Sequence, residues 1–449
     1  MFRKIELWIL LLIVLFFFII TIFFGFLVRQ ELIGTTKLGV FSKYSLFISE
    51  LPLNLKKIIK QKGLAADETY KNRKTTIYNK DIFSNYYLLL SRYDGDKKRS
   101  VLELIDLIEF KKIYSWNFNF KEYLNQVDET KKQFKNFRRN KPLEKFRVIN
   151  PLMLRDGSII FQDESPLFKV DQCGKLLWIN QDYKFHHSIE QDTDGNIWTN
   201  ARIFPFEVPE FFVGKKYGNF LDDGIVKISP NGQTLYKKSI SNILIKNGFI
   251  NSLFANGVAE FNIDPIHSND IQPVLFNSKY WKKGDVFVSI RHQSVIFLFR
   301  PSTNEIVWLR QGPFSNQHDI EILNEKQISF FNNNTFYTIN GNLVKNSNEI
   351  LIYDFEKDIF IKKFDKELRA LNVSTVTQGR AKITKEGMLF IEETDKGRLL
   401  GFSNSGKISW EYINKANNGK IYLLNWSRLI SKKNLFKDFD KLDNKKTCQ

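Results

Sequence analysis

The chain of 449 residues has five histidines, His186, His187, His267, His292 and His318, and all of them fall within residues 186–318. Imidazole is the side chain that most readily exchanges a proton or binds an electrophile near neutral pH, so this confinement marks where chemistry is sought first. The neighbours narrow the search. "KFHHSIEQDTDGNIW" carries His186 and His187, "IDPIHSNDIQPV" carries His267 and Asn269, "GDVFVSIRHQSVIF" carries Arg291 and His292, and "SNQHDIEIL" carries His318 and Asp319. In extended chain, residues two apart share a face and adjacent residues point to opposite faces. His267 and Asn269 therefore share a face, whereas only one of each adjacent pair can. With Arg291 and His187 facing inward, His292 and His186 become bystanders.

A hydrogen-bonded structural role is the plain reading of any one of these histidines. It does not explain several of them together with an arginine and an asparagine at matching places. A transition metal is one occupant for such a set, since histidine is its commonest ligand. Metal triads usually add carboxylates, however, and a fixed guanidinium would repel the cation. An anionic tetrahedral group fits better, because arginine offers a planar fork of donors and histidine and asparagine offer directional N–H groups. One neutral histidine can attack while another moves a proton. Sulfuryl or phosphoryl transfer is the chemistry indicated, with no cofactor and no metal expected.

Residues so far apart must be brought together by the fold, and a recurring unit supplies the means. Short alternating strands separated by Gly, Asn, Asp or Lys turns end on an aromatic residue, at Trp116, Trp178, Tyr236, Trp308, Phe360 and Trp410. The interval is roughly 50–70 residues, about what a four-stranded blade and its loops require. The pattern predicts an all-β fold, a six-bladed β-propeller over residues 81–430, closed by a strand from "NGKIYLLNWSRLI". A propeller directs its inner strands at one central channel, where distant residues converge. Residues 118–145 break the pattern and read as a basic helical insertion.

Ahead of the repeats, Leu7–Val28 is an uncharged apolar run of bilayer-spanning length. It is too long for the apolar centre of a secretory signal and shows no small-residue cleavage site. A single N-terminal transmembrane helix is expected, acting as an uncleaved anchor, with residues 1–6 as a cytoplasmic tail. Arg3 and Lys4 place the following chain on the periplasmic or extracellular side. Residues 29–80 form a stalk with a short amphipathic helix, and residues 431–449 form a polar, Lys-rich tail. The formal charge of +18 is spread over scattered lysines, often paired at turns, with no Arg-rich block. That pattern speaks against nucleic acid as a partner and for a solvated surface, with weak attraction to an anionic membrane face. The two cysteines, Cys173 and Cys448, make no framework.

The run "DPIHSNDI … GDVFVSIRHQSVIFLFRPSTNEIVWLRQGPFSNQHDIEILNEKQISFFNNN" resembles the core of the bacterial arylsulfotransferase family, with its H-x-N-D, G-D-x-x-x-S-x-R, W-x-x-x-G and Q-H-D motifs in order. "HHSIEQDTDGNIW" is similar to that family's upstream motif. The resemblance covers roughly residues 85–430, is strongest over 260–335, and implies a six-bladed propeller. It also implies a ping-pong sulfotransferase that needs no nucleotide sulfate donor and takes small molecules, an aryl sulfate donor and a phenolic acceptor. His318 matches the nucleophile, carrying a sulfohistidine. Arg291, Asn269 and His267 match the residues that hold the sulfuryl oxygens, and His187 matches the other channel histidine. Either His187 or His267 moves the phenolic proton. The chain departs from the family in its N-terminal region and in "NNN" at 332–334, where D-N is usual. The competing expectations are a non-catalytic binding or scaffold propeller and an aryl sulfate hydrolase.

Overall fold

The computed structural model describes residues 6–32, 38–59, 64–214, 220–255, 261–339 and 341–435. The chain divides into two compact units, one of residues 1–63 with 254–262 and one of the remainder. The smaller unit carries helix α1 (Leu7–Leu32) and helix α2 (Val40–Ile59). α1 has a mean hydropathy of 3.2 over its most apolar window, none of which is buried. It has the length and composition of a membrane span or a signal sequence. α2 alternates apolar and polar faces and contains Pro52. Most of the polar tail, from residue 436 on, lies outside the described residues.

The larger unit is all-β and propeller-like, built from antiparallel neighbours. Its inner strands are β1 (Ile149–Met153), β2 (Leu176–Gln191), β3 (Ser268–Pro273), β4 (His318–Asn324), β5 (Arg380–Ile383) and β6 (Arg428–Ser431). β3 and β4 each begin a four-stranded sheet, and β5 begins a five-stranded one whose last strand is Thr76–Ile77. β6, from the C-terminal side, pairs with Tyr86–Asp94 and so closes a four-stranded sheet made otherwise of N-terminal strands. Six separate sheets were expected, and pairing produces five large ones. β2 runs for 16 residues, bonding Ser165–Val170 along its first part and Ile197–Arg202 along its second, and so fuses two sets of strands into a seven-stranded sheet.

The sheets pack face to face on apolar strands that are buried on both sides, such as Val286–Ile290 and Val295–Arg300. The aromatic residues that mark the repeat seal these interfaces. Trp116 is buried and donates its indole N–H to Gly157 O at 3.0 Å, and Trp178 does the same to Pro230 O at 3.0 Å. Three of the lysine pairs lie on outermost strands, at Lys111–Lys112, Lys237–Lys238 and Lys362–Lys363. Charged edges deter pairing with another chain, which accounts for part of the positive charge without a nucleic-acid partner. The 118–145 segment holds the short helices Phe120–Asn125 and Phe137–Asn140, and its Phe118, Phe120, Phe134, Phe137 and Tyr123 join a buried cluster.

Candidate functional site

Four inner strands are irregular, β1, β3 and β4 at their starts and β2 in its second half, and the irregularity places the site. Asn150, His187, His267 and Asp319 have φ of 47°, 58°, 46° and 56°, in the left-handed region that non-glycine residues seldom occupy. Pairing registers shift beside them, between Ile149 and Leu152, His186 and Ile189, Ser268 and Asp270, and His318 and Glu321. An extra residue in a strand re-aims the side chains around it, and such bulges gather beside functional sites. Simple alternation therefore does not apply at these positions. Arg291 likewise lies in a 3-10 turn (Arg291–Gln293) rather than in a strand.

His318 is buried, with Nδ1 2.6 Å from Asn333 Oδ1 and 3.0 Å from Asn316 O. The Asn333 amide is oriented by its own Nδ2, which donates to Gln378 O at 2.7 Å and Thr375 O at 3.3 Å. Both groups facing Nδ1 are thus acceptors, so Nδ1 carries the hydrogen and Nε2 is left with its lone pair. Burial, reinforced by the Arg291 guanidinium, lowers the His318 pKa to about 3. The ring is neutral at neutral pH, the form in which it is a nucleophile.

The other residues singled out in the sequence gather around it. The His187 ring centroid is 6.4 Å from that of His318 and 5.3 Å from that of His267. Trp426 lies 5.8 Å from His187 and 6.0 Å from His318. Asn269 donates Nδ2 to the backbone carbonyl of Gln317, next to His318, at 2.6 Å, while its Oδ1 is buried with no hydrogen-bond partner among the described residues. Arg291 Nε is likewise buried and unpartnered among them, although Nη1 lies 3.0 Å from His292 Nε2. Buried polar groups are ordinarily satisfied, so these two atoms beside His318 have hydrogen-bonding capacity to spare.

Sequence reasoning set aside two histidines that the structure brings in. His292 stacks on His267 with centroids 4.4 Å apart, and its Nδ1 is 2.7 Å from Asp264 O. His186 sits behind His187, Nδ1 to Nδ1 at 2.6 Å, and its Nε2 is 3.0 Å from Asp223 Oδ1. Asp223, Asp264 and Arg202 were missed as well, since nothing in a sequence separates them from surface charges. Arg202 bonds Asp223 at 2.7 Å and Asp264 at 3.0 Å, and His267 Nδ1 lies 2.8 Å from Asp264. Burial raises the Asp264 pKa, but His267 and Arg202 outweigh that and hold it well below the ordinary carboxylate range. Ligand atoms of Asp264, His267 and His292 lie within 4.8 Å of one another, a spacing a metal can use. Arg202 and Arg291 are hydrogen-bonded into that same group, so its charge is already met.

A cavity of about 380 Å³ opens beside His187 and His267, with Arg202 on one wall and Phe204, Phe206 and Phe220 on another. Beneath the histidines a polar belt joins the inner strands. Arg380 bonds Asp319 at 2.8 Å and Asn150 at 2.9 Å, and Arg428 bonds Asn150 at 2.6 Å, Ile189 O at 2.7 Å and Glu190 at 3.0 Å.

By fold and site, this is a propeller-like β protein with a histidine cluster on its inner strands, buried at His186 and His318 and half-buried at His187 and His267. Residues 150–415, more than half of the chain, match the family described as arylsulfotransferase (ASST), and the chain belongs to that family. The match supports an enzyme with aryl sulfotransferase activity. No curated protein matches the chain by sequence. Among solved structures, it is similar to a Bacteroides caccae protein of unknown function at 12% identity and a TM-score of 0.46, covering 78% of this chain and 100% of that one. It is also similar to a Staphylococcus aureus virginiamycin B lyase at 11% identity and a TM-score of 0.40, covering 76% and 88%. The Neurospora crassa Pan2 WD40 domain gives 8% identity and a TM-score of 0.40, covering 76% and 87%.

Proposed function

We propose that the protein moves a sulfuryl group from an aryl sulfate ester to a phenol by ping-pong through a sulfohistidine on His318, without a nucleotide sulfate donor. The observation that carries this is the buried, neutral His318 whose Nδ1–H is held by Asn333 and Asn316, leaving Nε2 free to attack. Nε2 bonds to sulfur as the S–O(aryl) bond breaks, and the aryloxide takes up a proton and leaves. In the second half-reaction a phenol loses its proton, its oxygen bonds to sulfur, and the S–Nε2 bond breaks. The unpartnered Nε–H of Arg291 and the second Nδ2–H of Asn269 supply donors for the sulfuryl oxygens, and His267, whose Nδ1–H goes to Asp264, adds one when its Nε2 carries a proton. His187 or His267 carries the proton. The aromatic wall of Phe204, Phe206 and Phe220 suits an aryl group.

The same reading takes the fold as a six-bladed propeller over residues 81–430, with 118–145 inserted. What supports it is the seven-stranded sheet, which splits into two blades where β2 changes partners between Asn180 and Lys184. The reading keeps residues 1–6 as a tail, 7–28 as a membrane anchor, 29–80 as a stalk and 431–449 as a tail. Arg3 and Lys4 before the apolar run support a catalytic unit on the periplasmic or extracellular side.

The test is incubation with a chromogenic aryl sulfate, with and without added phenol, alongside His318→Ala. Phenol-dependent release and a sulfuryl mass on a His318 peptide are expected for the wild type and neither for the variant. Release that ignores the added phenol identifies a hydrolase, and absence of both release and mass shift ends the sulfohistidine reading.

A further inference from the structure

We infer that His186 and Asp223 are positioning residues that set the tautomer of His187 and share its proton in both half-reactions. The inference rests on the sulfohistidine reading above and picks His187, of the two candidates, as the proton carrier. Asp223 is fully buried, and its carboxylate only accepts: from Arg202 at 2.7 Å, from the Ser268 backbone N–H at 2.6 Å and from His186 Nε2 at 3.0 Å. Burial raises the Asp223 pKa, but Arg202 and His186 outweigh it and keep the group ionised. His186 must therefore carry its hydrogen on Nε2.

Burial lowers the pKa of His186 and lowers that of His187 further, so both rings are neutral in the empty site and hold one hydrogen each. With Nε2–H committed to Asp223, His186 Nδ1 is bare and accepts the hydrogen that His187 carries on its own Nδ1, across 2.6 Å. The tautomer of His187 follows: its Nε2 is bare, a base turned from the dyad toward the remaining histidines. The charged and titratable groups around it are His186 on β2, Asp223 and Arg202 on the neighbouring strands, Asp264 and His267 ahead of β3, His318 on β4, Arg291, and Glu164 and Lys184 across the cavity. Arg202, Arg291 and Lys184 oppose a proton there, and the three carboxylates favour it.

The step balances. When the acceptor phenol attacks sulfur, its O–H bond breaks and the proton bonds to His187 Nε2. The Nδ1–H of His187 then passes to His186 Nδ1, leaving His187 neutral and His186 as an imidazolium against the Asp223 carboxylate. In the donor half-reaction the transfers run backward: the anionic ester offsets Arg202 and Arg291 and draws one proton from solvent onto the neutral dyad, and that proton passes through His187 Nε2 to the departing aryloxide. No proton is gained or lost over a cycle.

The test compares full-length Asp223→Asn and His186→Asn with wild type on two donors. 2,4-Dinitrophenyl sulfate has a leaving group that needs no proton, and phenyl sulfate has one that does. Sulfurylation of His318 by the dinitrophenyl ester is expected within about threefold of wild type, and by phenyl sulfate about a hundredfold slower. Equal losses on both donors indicate a packing role and overturn the inference, as do unchanged rates on both. Nitrogen-15 NMR of the wild-type imidazoles is a second measurement that needs no variant to fold. The hydrogen of His187 is expected on Nδ1, and finding it on Nε2 rejects the relay. If wild type acquires no sulfuryl group from either donor, the sulfohistidine reading has failed, and the tautomer measurement still decides the relay.

Discussion

At the scale of the residue, the site depends on keeping His318 neutral, and that follows from amides where a carboxylate would do the opposite. Asn333 accepts the Nδ1–H without adding charge, while burial and Arg291 hold the pKa at about 3. Sulfuryl-enzyme formation from an activated ester is therefore expected to be flat with pH between about 5 and 8, where an ordinary histidine falls off below about 6.5. Asn333→Asp, with a negative group against Nδ1, is expected to bring an acid limb into that range, read from the pH profile of the burst. The same depressed pKa has a stability consequence whose sign is fixed. Between pH 3 and 6.5 the unfolded chain binds a proton at His318 that the folded one refuses, so this contribution to stability is present above 6.5 and is lost as pH falls. At pH 5 the loss is about 2 kcal/mol. Comparing wild type with His318→Asn at pH 7 and 5 by chemical denaturation isolates it, since Asp222, shifted upward by burial to about 6, acts in the opposite direction in both proteins. The five residues named from the sequence were legible because residue type and motif order survive without geometry. Their partners were not. His186 was set aside by an alternation that the positive φ of His187 suspends, and Asn333 is one of three adjacent asparagines that look alike until its amide is seen wedged between His318 and Gln378.

At the scale of the element, two kinds of strand do different work. Bulges occur in both, but those of β1–β4 coincide with left-handed residues and aim polar groups at the site, whereas the outer strands carry the packing. Regular strands alternate and end on aromatic residues, which is why the repeat could be read from spacing. Bulges have no period, and the run-on strand β2, which merges two sets into one sheet, leaves no mark in the sequence at all. Trp410 shows how tightly the outer strands are fitted. It is buried against Phe83 and Phe110 at 5.7 and 5.5 Å and lies across from Gly401 in register. A Cβ at Gly401 would sit 2.4 Å from the indole. Gly401→Ala is therefore expected to cost about 1–3 kcal/mol, as overpacking does, with the denaturation midpoint falling and its slope unchanged. Because this contact lies between outer strands, away from the histidines, the folded variant should transfer sulfuryl groups at the wild-type rate.

At the scale of the whole molecule, the larger, propeller-like unit joins its first and last strands. β6 joins them twice: by backbone pairing with Tyr86–Asp94, and by Arg428, which reaches from β6 to Asn150 on β1 and to Ile189 and Glu190 on β2. Each tie of that kind crosses the seam between the first and last parts of the chain. Burial, with Arg380 nearby, presses the Arg428 pKa downward, and Glu190 and Asp319 act against it. Removing one member of such a pair strands the other in a low dielectric, which typically costs about 3–5 kcal/mol. Arg428→Ala is expected to lose that much. If the seam holds the whole unit, loss should appear as one cooperative transition moved to lower denaturant, with near-ultraviolet dichroism and tryptophan fluorescence moving together. Separation of the two probes would show instead that the sheets unfold piecemeal, as stacked repeats do, and that closure at β6 is not what unites them. The double change Arg428→Met with Glu190→Leu sharpens the distinction. It removes the stranded charge while keeping the seam filled, and it should recover most of the lost stability if the cost is electrostatic and little of it if the hydrogen bonds to Asn150 and Ile189 are what hold that seam shut.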